Sequence, residues 1–109
     1  MLNQAVLVGR IVYEPELKEK ENGNKMANVT LAVPRSFKNV DWEYDTDFIN
    51  CTLWKGVAEN AVEYCHKGDL LGVKGRLQSR TIEDDEHNKT VMELVAEKVT
   101  YLSSKKADE

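Results

Sequence analysis

Apolar and polar residues alternate along most of this chain, a period-two pattern typical of β-strands with one buried face. The clearest case is D-F-I-N-C-T-L-W-K at 47–55, where Ile49, Cys51 and Leu53 share one face. The opposite face is more polar, yet it carries a large aromatic residue at each end. That combination needs an explanation beyond the packing of a core.

The same pattern recurs and predicts five strands, at 4–12, 26–37, 47–55, 70–82 and 90–102. Between the third and the fourth strand, 56–67 has apolar residues at helical spacing, and Gly68 supplies a helix stop. The charged segment 14–25 contains an Asn-Gly pair and is predicted to be a turn.

The predicted order β-β-β-α-β-β matches the OB-fold, an all-β, five-stranded Greek-key barrel with one helix. Glycines inside the first and fourth strands suit sharply curved barrel strands. We therefore predict one OB-fold domain over 1–103, followed by a short polar tail at 104–109.

Length and charge bound the possible functions. A chain of 109 residues fits a single domain. Its net charge of −4 argues against coating DNA by bulk charge, although 15 lysines and arginines can still form a local basic groove. The two cysteines, Cys51 and Cys65, are not in a C-x-x-C motif, and we expect them to be buried free thiols.

The aromatics on the polar face of 47–55, Phe48 and Trp54, suggest a stacking platform for the bases of single-stranded nucleic acid. They lie about 20 Å apart along an extended strand. Phe37, flanked by Arg35 and Lys38, is a third candidate, since an aromatic between cations suits a base and its phosphate. The alternatives are that these rings close the barrel or are buried in a subunit interface.

Basic residues fall mainly on or beside the predicted strands, whereas acidic residues gather in the turns. This separation predicts a positive groove on a chain that is acidic overall. The candidates for phosphate contacts are Arg10, Arg35, Lys38, Lys55, Lys67, Lys74, Arg76 and Arg80.

Catalytic and metal-binding motifs are not apparent in the sequence. His66 and His87 are far apart and are predicted to be surface residues, and neither a nucleophile arrangement nor a phosphate loop is present. We predict no enzymatic activity, no metal and no cofactor. The sequence lacks an apolar run of membrane-spanning length and a signal-peptide pattern, so a cytoplasmic location is expected.

Several segments resemble the bacterial-type single-stranded DNA-binding protein family. They include M-L-N-Q-A-V-L-V-G-R at 1–10, D-F-I-N-C-T-L-W at 47–54 and A-E-N-A-V-E-Y-C-H-K-G at 58–68. Together with shorter pieces they occur in the family's order and cover nearly all of 1–103.

This resemblance implies a homotetramer that wraps single-stranded DNA without reading its sequence, in replication, recombination and repair. It implies base stacking by Phe37, Phe48 and Trp54, and dimer pairing through the first strand, at 3–11.

Two departures from the family stand out. Ile82 occupies a position where an aromatic is usual, and the sequence ends without the acidic tip that recruits repair enzymes. The chain resembles a short form of the family, and recruitment through such a tail is in doubt.

Two other functions compete with DNA binding as interpretations of the sequence. An OB-fold that serves as a protein-interaction module, such as a primosome accessory subunit, would use the same aromatics against a protein. A hydrolase or nuclease would need a metal-ligand or nucleophile constellation, which the sequence does not offer.

Overall fold

The computed structural model describes residues 1–83 and 86–103; the predicted tail at 104–109 lies outside the described residues. Six strands and one helix follow in chain order: β1 (Ala5–Ile11), β2 (Leu17–Glu19), β3 (Lys25–Lys38), β4 (Tyr44–Trp54), α1 (Lys55–Tyr64), β5 (Leu70–Glu83) and β6 (Asn88–Ser103).

The five long strands form a closed barrel. Hydrogen-bonded neighbours follow the order β1-β5-β6-β4-β3-β2, and β1 also pairs with β3, which closes the ring. All pairs are antiparallel except β4 with β6, which run parallel at Cys51↔Leu94 and Thr52↔Val95. With a helix between the third and fourth barrel strands, this is the predicted OB-fold, and that prediction is confirmed.

The barrel core follows the predicted alternation. Leu31, Leu53, Leu71 and Leu94, one from each of four barrel strands, are 0 to 1% exposed. The helix packs Ala58 and Ala61 against this cluster. Both cysteines are buried free thiols, as predicted.

Two glycines allow the barrel strands to bend and approach closely. A Cβ on Gly9 would lie 2.8 Å from the carbonyl oxygen of Ala32, and one on Gly75 only 2.0 Å from that of Val95. Gly75 adjoins an irregularity in the β5–β6 register. The role predicted for glycines in these two strands is therefore supported by contacts that leave no room for a side chain.

The prediction of a simple turn at 14–25 was wrong at β2. This three-residue strand pairs with β3 at Leu17↔Ala27, Lys18↔Met26 and Glu19↔Lys25. All three β2 residues are exposed, so the strand lacks the alternation of buried and exposed positions that marks the other strands. The pairing depends on the free edge of β3, which local sequence does not reveal.

The predicted helix end was also three residues too late. The helix ends at Tyr64, where the N–H of Cys65 donates to the carbonyl of Ala61 at 2.8 Å. Gly68, with φ of 94°, instead makes the turn that leads into β5. At the other end, Lys55 has φ of 52°, a left-handed conformation that turns the chain sharply from β4 into the helix.

Candidate nucleic-acid interface

Phe48 lies on an open outer face of the barrel. The register places it beside Ala32 on β3, and Ala32 beside Arg10 on β1. Directly opposed residues of an antiparallel ladder project from the same face, so Phe48 and Arg10 share this surface, with their backbones about 10 Å apart across two strand spacings. The phenyl ring is 66% exposed. It is therefore accessible to a flat ligand.

Trp54, at the other end of β4, borders a groove of about 260 Å³. The indole lies beside Met26, which pairs in turn with Lys18 of β2. Lys18, Lys20 and Arg80 also line this groove. We call it the Trp54 groove: it combines one partly exposed ring with three cations.

The floor of the Trp54 groove contains a buried polar pair. The Thr52 hydroxyl donates a hydrogen bond to Glu93 Oε2 at 2.5 Å, and Arg80 Nε lies 3.5 Å from the same oxygen. Thr52 is 2% exposed although it belongs to the more polar face of its strand. Contact with β6 covers Thr52, so the more polar face of β4 is only partly exposed to solvent.

Sequence reasoning missed three charged residues of this groove, Lys18, Lys20 and Glu93. The lysines belong to the acidic segment that was predicted to be a turn, and no local signal marked them. Glu93 did give a signal, since it is a charge between Met92 and Leu94 within an apolar strand.

Phe37 lies near the tip of the β3–β4 hairpin and is 65% exposed. The neighbouring Lys38 Nζ is 5.8 Å from the ring centroid of Trp42 and 5.6 Å from that of Tyr44. Such cation–π contacts hold the ammonium over the two rings. The tip therefore presents aromatic surface with a cation already bound to it.

Arg35 is held by two acidic residues of β4. Its Nη2 and Nε donate to Asp47 Oδ1 and Oδ2 at 2.9 and 3.1 Å, and Nη1 is 3.7 Å from Asp45 Oδ2. The hydrogen bond from Arg35 lowers the pKa of Asp47 below its usual value. Arg35 thus links β3 to β4 within the hairpin. Its positive charge is offset by these carboxylates more fully than the charges of most other predicted phosphate contacts.

Other predicted phosphate contacts are spread around the barrel. Arg10 donates from Nη1 to the Gly68 carbonyl at 3.0 Å, and Arg76 donates from Nη2 to the Gln78 amide oxygen at 3.3 Å. Lys74 is exposed on the part of β5 that pairs with β1 and β6. The structure therefore does not gather all eight cations into one patch.

Lys55 and Lys67 lie at opposite ends of the segment that carries the helix. Lys55 directly follows Trp54 and is exposed. The backbone N–H of Lys67 donates to Glu14 Oε2 at 3.0 Å, and His66 Nδ1 is 2.7 Å from Glu14 Oε1. These two hydrogen bonds, the backbone one first, lower the pKa of Glu14. His66 therefore has a structural partner at the surface.

Ile82 lies on the same face of β5 as Arg80, opposite Lys89 of β6, and is 42% exposed. It continues the surface that leads away from the Trp54 groove. An aliphatic side chain here offers a contact but no π face.

A metal site needs an arrangement of several ligating side chains that the fold brings together. Among residues 1–83 and 86–103, no group of three His, Cys, Asp or Glu side chains is placed to hold a metal ion. His87 is exposed. Over the same residues, none of the helical structure is long and apolar enough to cross a membrane.

The geometry defines a class of protein: an OB-fold barrel with exposed aromatics among cations on one outer face, which suits single-stranded nucleic acid. Comparison with known proteins gives the family. The family model described as "Single-strand binding protein family" matches residues 2–102. The chain belongs to this family.

Individual relatives agree with the family match. The chain is 47% identical over 106 residues to single-stranded DNA-binding protein B of Bacillus subtilis, covering 96% of this chain and 94% of that protein. It is 48% identical over 103 residues to a single-stranded DNA-binding protein of Halalkalibacterium halodurans, covering 94% of this chain and 61% of that protein. A third, from Staphylococcus aureus, is 44% identical over 110 residues, with 70% of its length covered.

Proposed function

We propose that this chain binds single-stranded DNA without reading its sequence, by base stacking and phosphate contacts. The observation that carries the proposal is the outer face of β4, where Phe48 is 66% and Trp54 36% exposed on the same side of one strand. Stacking on aromatic side chains contributes about 1–3 kcal/mol per base and tolerates any base. Family membership supports the same function.

The two rings mark a path along β4 of about 20 Å, which spans several nucleotides. Phe37, near the tip of the hairpin that β4 forms with β3, extends the stacking surface. Asn50, exposed between the rings, leaves space for a backbone to pass. Bases stack at the aromatics while the sugar-phosphate chain crosses the polar interval.

The phosphates are contacted first by the cations that adjoin these rings. Arg10 lies in the row of Phe48, and Lys18, Lys20 and Arg80 line the groove of Trp54. The remaining predicted cations serve a strand that continues around the barrel. Arg35 contributes least, because two carboxylates already neutralise it.

The test is tryptophan fluorescence during titration with oligo(dT), at low and high salt, in a Trp42→Phe variant that leaves Trp54 as the reporter. We expect saturable quenching whose log affinity falls with log salt by about 0.7 per phosphate contacted. A duplex of equal length is the control. If oligo(dT) at micromolar concentration leaves the fluorescence of the folded protein unchanged, the proposal fails and a protein-interaction module is favoured.

We also propose assembly into a homotetramer with dimer pairing through β1. Residues 5–8 pair with β5 on one side, while the β1–β3 ladder covers only Arg10 and Ile11. An open strand edge is suited to pairing with another chain. Val6 and Val8 add apolar side chains that are 68% and 49% exposed.

Sedimentation equilibrium tests this assembly. We expect the mass of four chains for the wild type and a smaller species for Val8→Lys. A monomer at all concentrations would overturn the proposal.

A role in replication, recombination and repair in the bacterial cytoplasm follows from the binding function and is proposed with it.

A further inference from the structure

The Trp54 groove has a carboxylate in its floor, whose charge opposes a phosphate ligand. Glu93 is 6% exposed and lines the groove together with Trp54 and Arg80. Burying a charge is unfavourable unless it is paired and hydrogen-bonded. A groove built only to attract phosphate would place an amide or an apolar side chain here.

Two polar side chains hold the carboxylate of Glu93. Thr52 and Arg80 both bind Oε2, at 2.5 and 3.5 Å. Glu93 itself lines the groove, so the carboxylate borders the space where the ligand would lie. The negative charge is therefore felt where the ligand lies.

Arg80 is the cation most directly affected. Its Nε faces Glu93, so the guanidinium is drawn to the floor while its side chain stays 49% exposed. The Nη groups still carry donors that can reach a phosphate. However, the pair as a whole adds almost no net charge to the groove, because the carboxylate offsets the guanidinium.

We propose that Glu93 is a positioning residue that restrains Arg80 and lowers the affinity of the Trp54 groove for the DNA strand. This inference rests on the proposed function. The consequence is faster release, since affinity differences of this kind appear mostly in the dissociation rate. Glu93→Gln keeps the shape and the acceptor for Thr52 but removes the charge. We expect it to bind oligo(dT) about fivefold more tightly at low salt, with a salt slope steeper by about 0.7 because Arg80 now neutralises one more phosphate.

The experiment compares oligo(dT) titrations and dissociation rates for the wild type, Glu93→Gln and Glu63→Gln over a range of salt. Glu63 is an exposed helix residue that does not line the groove, so its variant controls for the change in net charge. Thermal melting shows that each variant is folded. A purely structural role for Glu93 predicts unchanged or weaker binding, never tighter binding.

An Arg80→Gln background tests the route of the effect. There, Glu93→Gln should leave the salt slope unchanged, because no guanidinium remains to be released to a phosphate, although removal of the carboxylate charge still strengthens binding. A steeper salt slope in that background, an equal gain from Glu63→Gln, or no gain from Glu93→Gln overturns the inference while leaving the proposed function intact. Failure of the wild type itself to bind oligo(dT) overturns both.

Discussion

Replacement of Phe48 by alanine is the most direct test of the stacking face. The phenyl ring is 66% exposed, so about a third of its surface is buried against the barrel. A phenylalanine side chain has roughly 200 Å² to bury, and at about 25 cal/mol/Å² the lost burial destabilises the fold by at most about 1.5–2 kcal/mol. Loss of one stacked base weakens binding by about 1–3 kcal/mol, or about 5- to 150-fold in Kd.

The binding loss is therefore measurable while the barrel stays folded. Trp54 is a less clean site, because it is only 36% exposed and its removal takes more packing away. The assay is an oligo(dT) titration at fixed salt, with urea unfolding to measure stability. Tyr64→Ala is the matched control, since this helix residue is 62% exposed and packs edge-on against Tyr101 at 6.2 Å, with no groove contact.

We expect a reduced affinity for Phe48→Ala and unchanged affinity for Tyr64→Ala. Phe48→Ala binding within twofold of the wild type would refute stacking at this position. An equal loss in both variants would show that general destabilisation, and not stacking, lowers the affinity.

Three further predictions concern the fold. Gly75→Ala should lose most of its stability in urea unfolding, because the added Cβ would lie 2.0 Å from the carbonyl oxygen of Val95; a melt like the wild type's contradicts this. Burial raises the pKa of Cys51 to about 12 and of Cys65 to about 11, so neither should react with Ellman's reagent at pH 8 before unfolding. The pKa of Glu14 is lowered in the folded protein, so its contacts stabilise the fold at pH values above its unfolded pKa. This stabilisation is lost as the pH falls through the folded pKa. Glu14→Gln should therefore be less stable than the wild type at pH 7, and the stabilities of the two proteins should converge in acid.

The strands and the exposed aromatics were predictable because both depend on local sequence. A period of two decides which side chains share a face once a segment is extended. Phe48 and Trp54 had to lie opposite Ile49 and Leu53, and they do. Buried glycines in curved strands could likewise be anticipated, although only the structure identifies Val95 as the neighbour that excludes a side chain at Gly75.

The charged part of the site was less predictable. Arg35 and Arg80 were predicted to contact phosphate, as Lys74 was, but each has an acidic partner brought to it by strand pairing. Lys18 reaches the Trp54 groove only because β2 adds to the edge of β3. Side-chain partners of this kind depend on register between strands that are distant in sequence.

The sequence by itself determined the OB-fold order, the buried alternation and the aromatic face, because these follow from spacing within single strands. Only the tertiary structure decided which cations are free, how Thr52 comes to be buried and why Glu93 lies beneath a groove proposed to bind phosphate. Charges act over distances of several ångströms in space rather than along the chain, so their roles depend on which strands the barrel brings together.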